Sequence, residues 1–97
     1  MFARVARYEI PAERISEAEA AFQQAIDEIR AMAGAGGAYL LVSTESGLVL
    51  TMTLWENQAA MEARRVAASQ LRRRAAGALD GNVVSAEEYE VAARELG

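Results

Sequence analysis

A chain of 97 residues with net charge −4 has room for one two-layer core and too little positive charge for general nucleic-acid binding. It holds neither cysteine nor histidine, and all ten basic residues are arginine, which excludes disulfides, thiolate nucleophiles, Cys- or His-ligated metals and Schiff-base lysines. Hydrophobic residues make up 53%, too many for a disordered chain, but few are aromatic, so the core is thin and oligomerisation is a natural way to bury more surface.

Residues 2–10, "FARVARYEI", alternate as a strand, with Ala3 and Val5 on one side and Phe2, Arg4, Ala6 and Tyr8 on the other. Pro11 closes that strand and suits the first turn of a helix. From Ala12 to Ala33 the apolar positions Ile15, Ala18, Phe22, Ala25, Ile26, Ile29, Met32 and Ala33 recur at helical spacing. "GAGG" at 34–37 stops the helix. "AYLLVST" and "LVLTMTLWE" then form a hairpin around Glu45-Ser46-Gly47. A three-residue loop sets Val42 opposite Leu50 and Leu40 opposite Met52, with Leu41 and Tyr39 facing Thr51 and Thr53.

Asn57 caps a second helix from Gln58 to about Ala76, whose apolar arc is Ala60, Met61, Ala63, Ala67, Ala68, Leu71 and Ala75. Within its arginine cluster, Arg65, Arg72 and Arg73 fall on the solvated side. The closing stretch "VVSAEEYEVAARELG" fits a capped helix lined by Ala86, Tyr89, Ala93 and Leu96, or a strand. A lone third helix leaves an unpaired sheet edge, so a strand over about 82–92 is expected. The order βαββαβ then predicts one ferredoxin-like α+β domain over 1–97: a four-stranded antiparallel sheet with two helices on one face.

Strand "GLVLTMTLW" is apolar on both sides. Taking Val5, Leu40, Val42, Leu50, Met52 and Leu54 as the helix-covered side leaves Arg4, Ala6, Tyr8, Tyr39, Leu41, Ser43, Val49, Thr51, Thr53 and Trp55 bare. Such a patch is larger than soluble monomers tolerate, and two sheets pairing about a two-fold axis would hide it. The candidate ligand-binding residues on it are Arg4, Tyr8, Tyr39, Thr51, Thr53 and Trp55. Trp55 is either a wall for a flat ligand or interface packing. Tyr8 and Tyr39 either donate to a substrate oxygen or serve as amphipathic interface residues. Arg4 binds a substrate anion or an acid of the partner. Arg64, in the apolar arc of the second helix, snorkels to the sheet edge or reaches the cavity mouth.

The run "GLVLTMTLWENQAAMEA", with the Pro11 junction and the closing "EEYEV", resembles the antibiotic biosynthesis monooxygenase-like family of dimeric α+β barrel proteins, most specifically in "TLWEN". The resemblance implies a homodimer formed through the sheets, without a cofactor. Its activity would be cofactor-independent monooxygenation of a small aromatic or polycyclic molecule in a cavity between sheet and helices. A non-catalytic ligand-binding or structural dimer is the alternative. Trp55 matches the tryptophan that lines the cavity in several members. Haem-degrading members tend to carry asparagine where Ala6 stands and a histidine on the second helix, and both are missing here, which disfavours haem degradation. Neither nucleic acid nor membrane is an expected partner. With no secretory signal in "MFARVARYEI", the expected location is the cytoplasm.

Overall fold

The computed structural model describes residues 1–43 and 45–95. Thr44 and Leu96, to which the first hairpin strand and the terminal helix alternative extended, lie outside the described residues. Strand β1 (Phe2–Glu9) runs to Pro11, a 3-10 helix (Ala12–Glu17) follows, and helix α1 (Ala18–Arg30) continues from it. The single helix expected from Ala12 is therefore two pieces. Its stripe is as read, with Ala18, Phe22, Ala25, Ile26 and Ile29 buried.

Strands β2 (Ala35–Val42) and β3 (Leu48–Trp55) make the hairpin, helix α2 spans Gln58–Gly77, and β4 is Asn82–Glu90. The last segment is thus a strand. The four strands lie in the order β2-β3-β1-β4, every neighbouring pair antiparallel, which is the ferredoxin-like arrangement. The Asn57 side chain caps α2, accepting from the Ala60 N–H at 2.8 Å. Gly34 takes φ +86°, and a Cβ there would sit 2.5 Å from that of Ala60. Glycine at this position lets the end of α1 approach the start of α2. Among the described residues, no helix is long and apolar enough to cross a membrane.

The sheet faces differ from the sequence expectation. In the hairpin, Leu41 pairs with Leu50, Leu40 with Thr51 and Tyr39 with Met52, one residue away from the expected register. The link is longer than three residues: Ser43 N–H donates to the Leu48 carbonyl and Gly47 N–H to the Ser43 carbonyl. Because side chains alternate with period two, a slip of one exchanges the faces of one strand relative to its neighbour. Tyr39 and Leu41 remain on the helix-free face and Leu40 under the helices, as read.

On β1 and β3 the assignment inverts. Ala6, Tyr8, Val49, Thr51, Thr53 and Trp55 are buried beneath the chain's own helices. Val5, Leu50, Met52 and Leu54 are only half-buried, on the outer face. α2 is rotated too: Met61, Ala68, Arg72, Ala75 and Ala76 are buried, whereas Ala63 and Ala67 are exposed.

Candidate functional site

The sheet–helix layer contains an unusual amount of polar chemistry for so small a core. β1 and β3 are neighbours in register, with Arg4 beside Thr53, Ala6 beside Thr51 and Tyr8 beside Val49. That pairing sets their inward side chains in two adjacent rows. The hydroxyls of Tyr8 and Thr51 share a hydrogen bond of 2.7 Å, and Trp55 Nε1–H donates to Thr53 Oγ1 at 3.1 Å. Each buried polar group thereby gains a partner that water would otherwise supply, which is what allows threonines and a phenol to replace aliphatics in a core. The Tyr8 ring meets Phe22 of α1 edge-on, with centroids 4.7 Å apart. Trp55 is 1% exposed and clusters with Ile29, Met61 and Ala68.

Two guanidinium groups enter the layer beside β4. Arg4 Nη1 donates to Glu88 at 2.8 Å, and Arg65 of α2 grips the same carboxylate from outside at 2.8 and 3.0 Å. Arg72 of α2 is 3% exposed. Both Arg4 Nη2 and Arg72 Nη2 reach Ser69 Oγ, at 3.4 Å each. A cleft of about 50 Å³ opens beside them, lined by Arg4, Ala6, Ser69, Arg72, Arg73, Val83 and Ala86.

Burial raises the Tyr8 phenol above its ordinary value, against the opposing effects of the Thr51 hydrogen bond and the charges of Arg72 and Arg4. Tyr8 is therefore a neutral phenol near pH 7. Burial likewise lowers Arg72, a trend that the Tyr8 interaction opposes and the nearby Arg4 charge reinforces. The folded chain holds the Tyr8 proton more tightly than the unfolded chain does. Its contribution to stability is hence intact below the unfolded value of about 10 and is lost as pH rises through the higher folded value. Denaturant midpoints from pH 8 to 11 should fall above pH 10. Tyr8→Phe should flatten that fall more than Tyr89→Phe, whose exposed phenol is raised by its hydrogen bond to Glu87.

Of the residues singled out from sequence, Arg4, Tyr8, Thr51, Thr53 and Trp55 come together in this layer. Tyr39 does not, being 54% exposed on the opposite face, and Arg64 is exposed to solvent on α2. Arg72, read as solvated, is the inward arginine instead. Its spacing carried the signal: it follows Ala68 by four and precedes Ala75 and Ala76 by three and four, a position on the buried stripe. Three arginines in a row concealed it.

A ferredoxin-like domain with a buried aromatic and hydroxyl layer between its sheet and two helices is the class that fold and site define. The family model for antibiotic biosynthesis monooxygenases matches residues 1–76, and the chain belongs to that family. A comparison with curated proteins found no match. Among solved structures, one assigned as an antibiotic biosynthesis monooxygenase from Deinococcus radiodurans superposes with TM-score 0.78 at 18% identity, covering 100% of both chains. Another so assigned, from Nitrosomonas europaea, gives 0.73 at 9% identity, over 96% of this chain and 100% of that one. SnoaB, a cofactor-independent oxygenase from Streptomyces nogalater, gives 0.67 at 18% identity, over 98% of this chain and 94% of that one. At these identities the likeness establishes the fold.

Proposed function

We propose that the chain is a homodimeric, cofactor-independent oxygenase of this family, acting on a small electron-rich aromatic in the sheet–helix layer. The observation that carries this reading is the convergence of Tyr8, Thr51, Arg4 and Arg72 in a buried layer that also holds Trp55, in a chain of a monooxygenase family. A phenol bound there loses its proton more readily beside two guanidinium groups, because the fixed positive charges stabilise the phenolate. An electron-rich phenolate reacts with dioxygen directly and needs no added reductant. A phenol oxidised at an unsubstituted para carbon takes one oxygen atom to become a quinone, and the second oxygen leaves with two hydrogens as water. The chain supplies orientation and charge, and no redox group is required.

The size of the layer sets the substrate class. The cleft beside Arg4 holds about 50 Å³, whereas pockets that enclose drug-sized ligands run from about 300 Å³. A polycyclic of several rings does not fit that space; a mono- or bicyclic substrate enters only if α2 moves outward. One specific observation favours the non-catalytic reading: Tyr8, Phe22 and Trp55 already fill the layer, and the polar atoms of Tyr8 and Trp55 are satisfied by Thr51 and Thr53.

Incubation with 1-naphthol under ¹⁸O₂ separates the two. The oxygenase reading predicts 1,4-naphthoquinone carrying one ¹⁸O atom, lost in Arg4→Met. Binding of 1-naphthol without any dioxygen uptake would establish the non-catalytic reading.

The homodimer is proposed on the character of the outer sheet face. Tyr39, Leu41, Leu48 and Tyr89 are exposed there beside half-buried Val5, Leu50, Met52 and Leu54. Helix-free sheet faces in water normally carry charged side chains along alternate positions. Here the charges Arg7, Glu9 and Glu87 lie on β1 and β4 while β2 and β3 present none on that face, and a second copy pressed against the aliphatic part removes it from solvent.

A further inference from the structure

Arg72 is the one charged side chain in the buried set among the described residues. A buried cation is normally paired with an acid or saturated with acceptors, since an uncompensated one costs heavily in a low-dielectric interior. Here neither condition is met. Arg72 Nη1 has no hydrogen-bond partner, Arg4 Nε has none, and the two guanidinium groups share a single serine hydroxyl at a long 3.4 Å. The nearest acid, Glu88, is bonded to Arg4 and Arg65. Tyr8 stays neutral and contributes no negative charge. The cleft that Arg4 and Arg72 line therefore has surplus positive charge, and two buried N–H groups of these side chains have no acceptor among the described residues.

We propose that this cleft between α2 and β4 is a binding site for a small monocarboxylate. Its oxygens accept one N–H from each of the two guanidinium groups, Arg72 Nη1 and Arg4 Nε, as charge-assisted hydrogen bonds. About 50 Å³ holds three or four waters on the scale of about 10–15 Å³ per water. That is room for a carboxylate head with a short tail. The donors lie to one side, and Ala6, Val83 and Ala86 supply an apolar wall for the tail. A phosphate dianion asks for donors on all sides and would also be repelled by Glu88. The cleft and arginines are those that hold the phenolate in the oxygenase reading, but the carboxylate proposal concerns binding alone and stands whether or not oxygenation occurs.

The test titrates the full-length ¹⁵N-labelled protein with sodium acetate, against sodium chloride at matched ionic strength. Saturable shifts of the Ser69 and Ala86 amides are expected with acetate, weakened at least tenfold in Arg72→Met. Absence of saturable shifts in the wild-type protein, or equal affinity in Arg72→Met, would overturn the proposal. Should Arg72→Met fail to fold, Ala86→Leu, which fills the cleft without touching a charge, takes its place: it must lose acetate binding, and retained binding counts against the site. Inorganic phosphate is the third arm, and binding tighter than that of acetate would overturn the carboxylate assignment.

Discussion

Replacing Trp55 by alanine should destabilise the protein by about 3–5 kcal/mol, the range for deleting a fully buried large aromatic. The indole is 1% exposed and packs on Ile29 of α1 and Met61 and Ala68 of α2. Its loss leaves a void between both helices and β3 and takes the donor from Thr53 Oγ1. Against a total stability of about 5–15 kcal/mol, that is roughly a fifth of the margin or more. For a domain of this length each kcal/mol corresponds to roughly 4–8 °C, so the midpoint should drop by more than about 12 °C. Trp55→Phe retains most of the packing and should lose less. Because the indole is sheltered within the protomer, any change in midpoint with protein concentration should be the same for Trp55→Ala and wild type. Thermal melts at two concentrations check both points.

Two adjacent substitutions to arginine should have opposite consequences. Thr53 is 1% exposed beneath the helices, and its neighbour Met52 points outward from the sheet. Thr53→Arg drives a long cation into a filled layer already holding Arg4 and Arg72, and the variant should be largely unfolded by circular dichroism. Met52→Arg places the same charge on the outer face. Met52 is half-buried there, and an arginine stem can cover the same apolar surface while its head reaches water, so the secondary structure should survive. In a face-to-face dimer two such cations meet across the axis, and sedimentation at micromolar concentration should show a single chain where the wild type shows two. A Thr53→Arg protein that folds and merely dissociates would return Thr53 to the outer face.

Local signals in the sequence were enough to place the elements. Helix spacing around Phe22, Ile26 and Ile29, the cap at Asn57, and the need to pair the free edge of β1 locate α1, α2 and β4. The side of the sheet on which the helices sit is a tertiary property, and β3 alone does not encode it. Its two faces, Leu48-Leu50-Met52-Leu54 and Val49-Thr51-Thr53-Trp55, are both compatible with burial. Hydrophobicity favours the first, but the second is buried because Tyr8 with Thr51 and Trp55 with Thr53 satisfy each other's polar atoms. The Tyr8–Thr51 pair joins separate strands and is invisible in a linear pattern. The same holds for Arg72, whose burial depends on the space between α2 and β4.

The candidate site was legible as a set of residues more than as a place. Arg4, Tyr8, Thr51, Thr53 and Trp55 share one sheet face in both the expectation and the structure; the reading turned that face toward a partner, and the structure turns it inward. Tyr39 separates from them because the hairpin link is longer than the three residues expected, which shifts β2 by one position against β3.

Iodide quenching of the single tryptophan, measured on Met52→Arg protein shown to sediment as one chain, probes this inversion most directly. Shelter by the chain's own helices predicts a blue-shifted emission that iodide barely quenches in the isolated protomer. Strong quenching with a red-shifted maximum there, and protection only in the dimer, would mean that the partner covers Trp55 and that the buried layer described here does not exist.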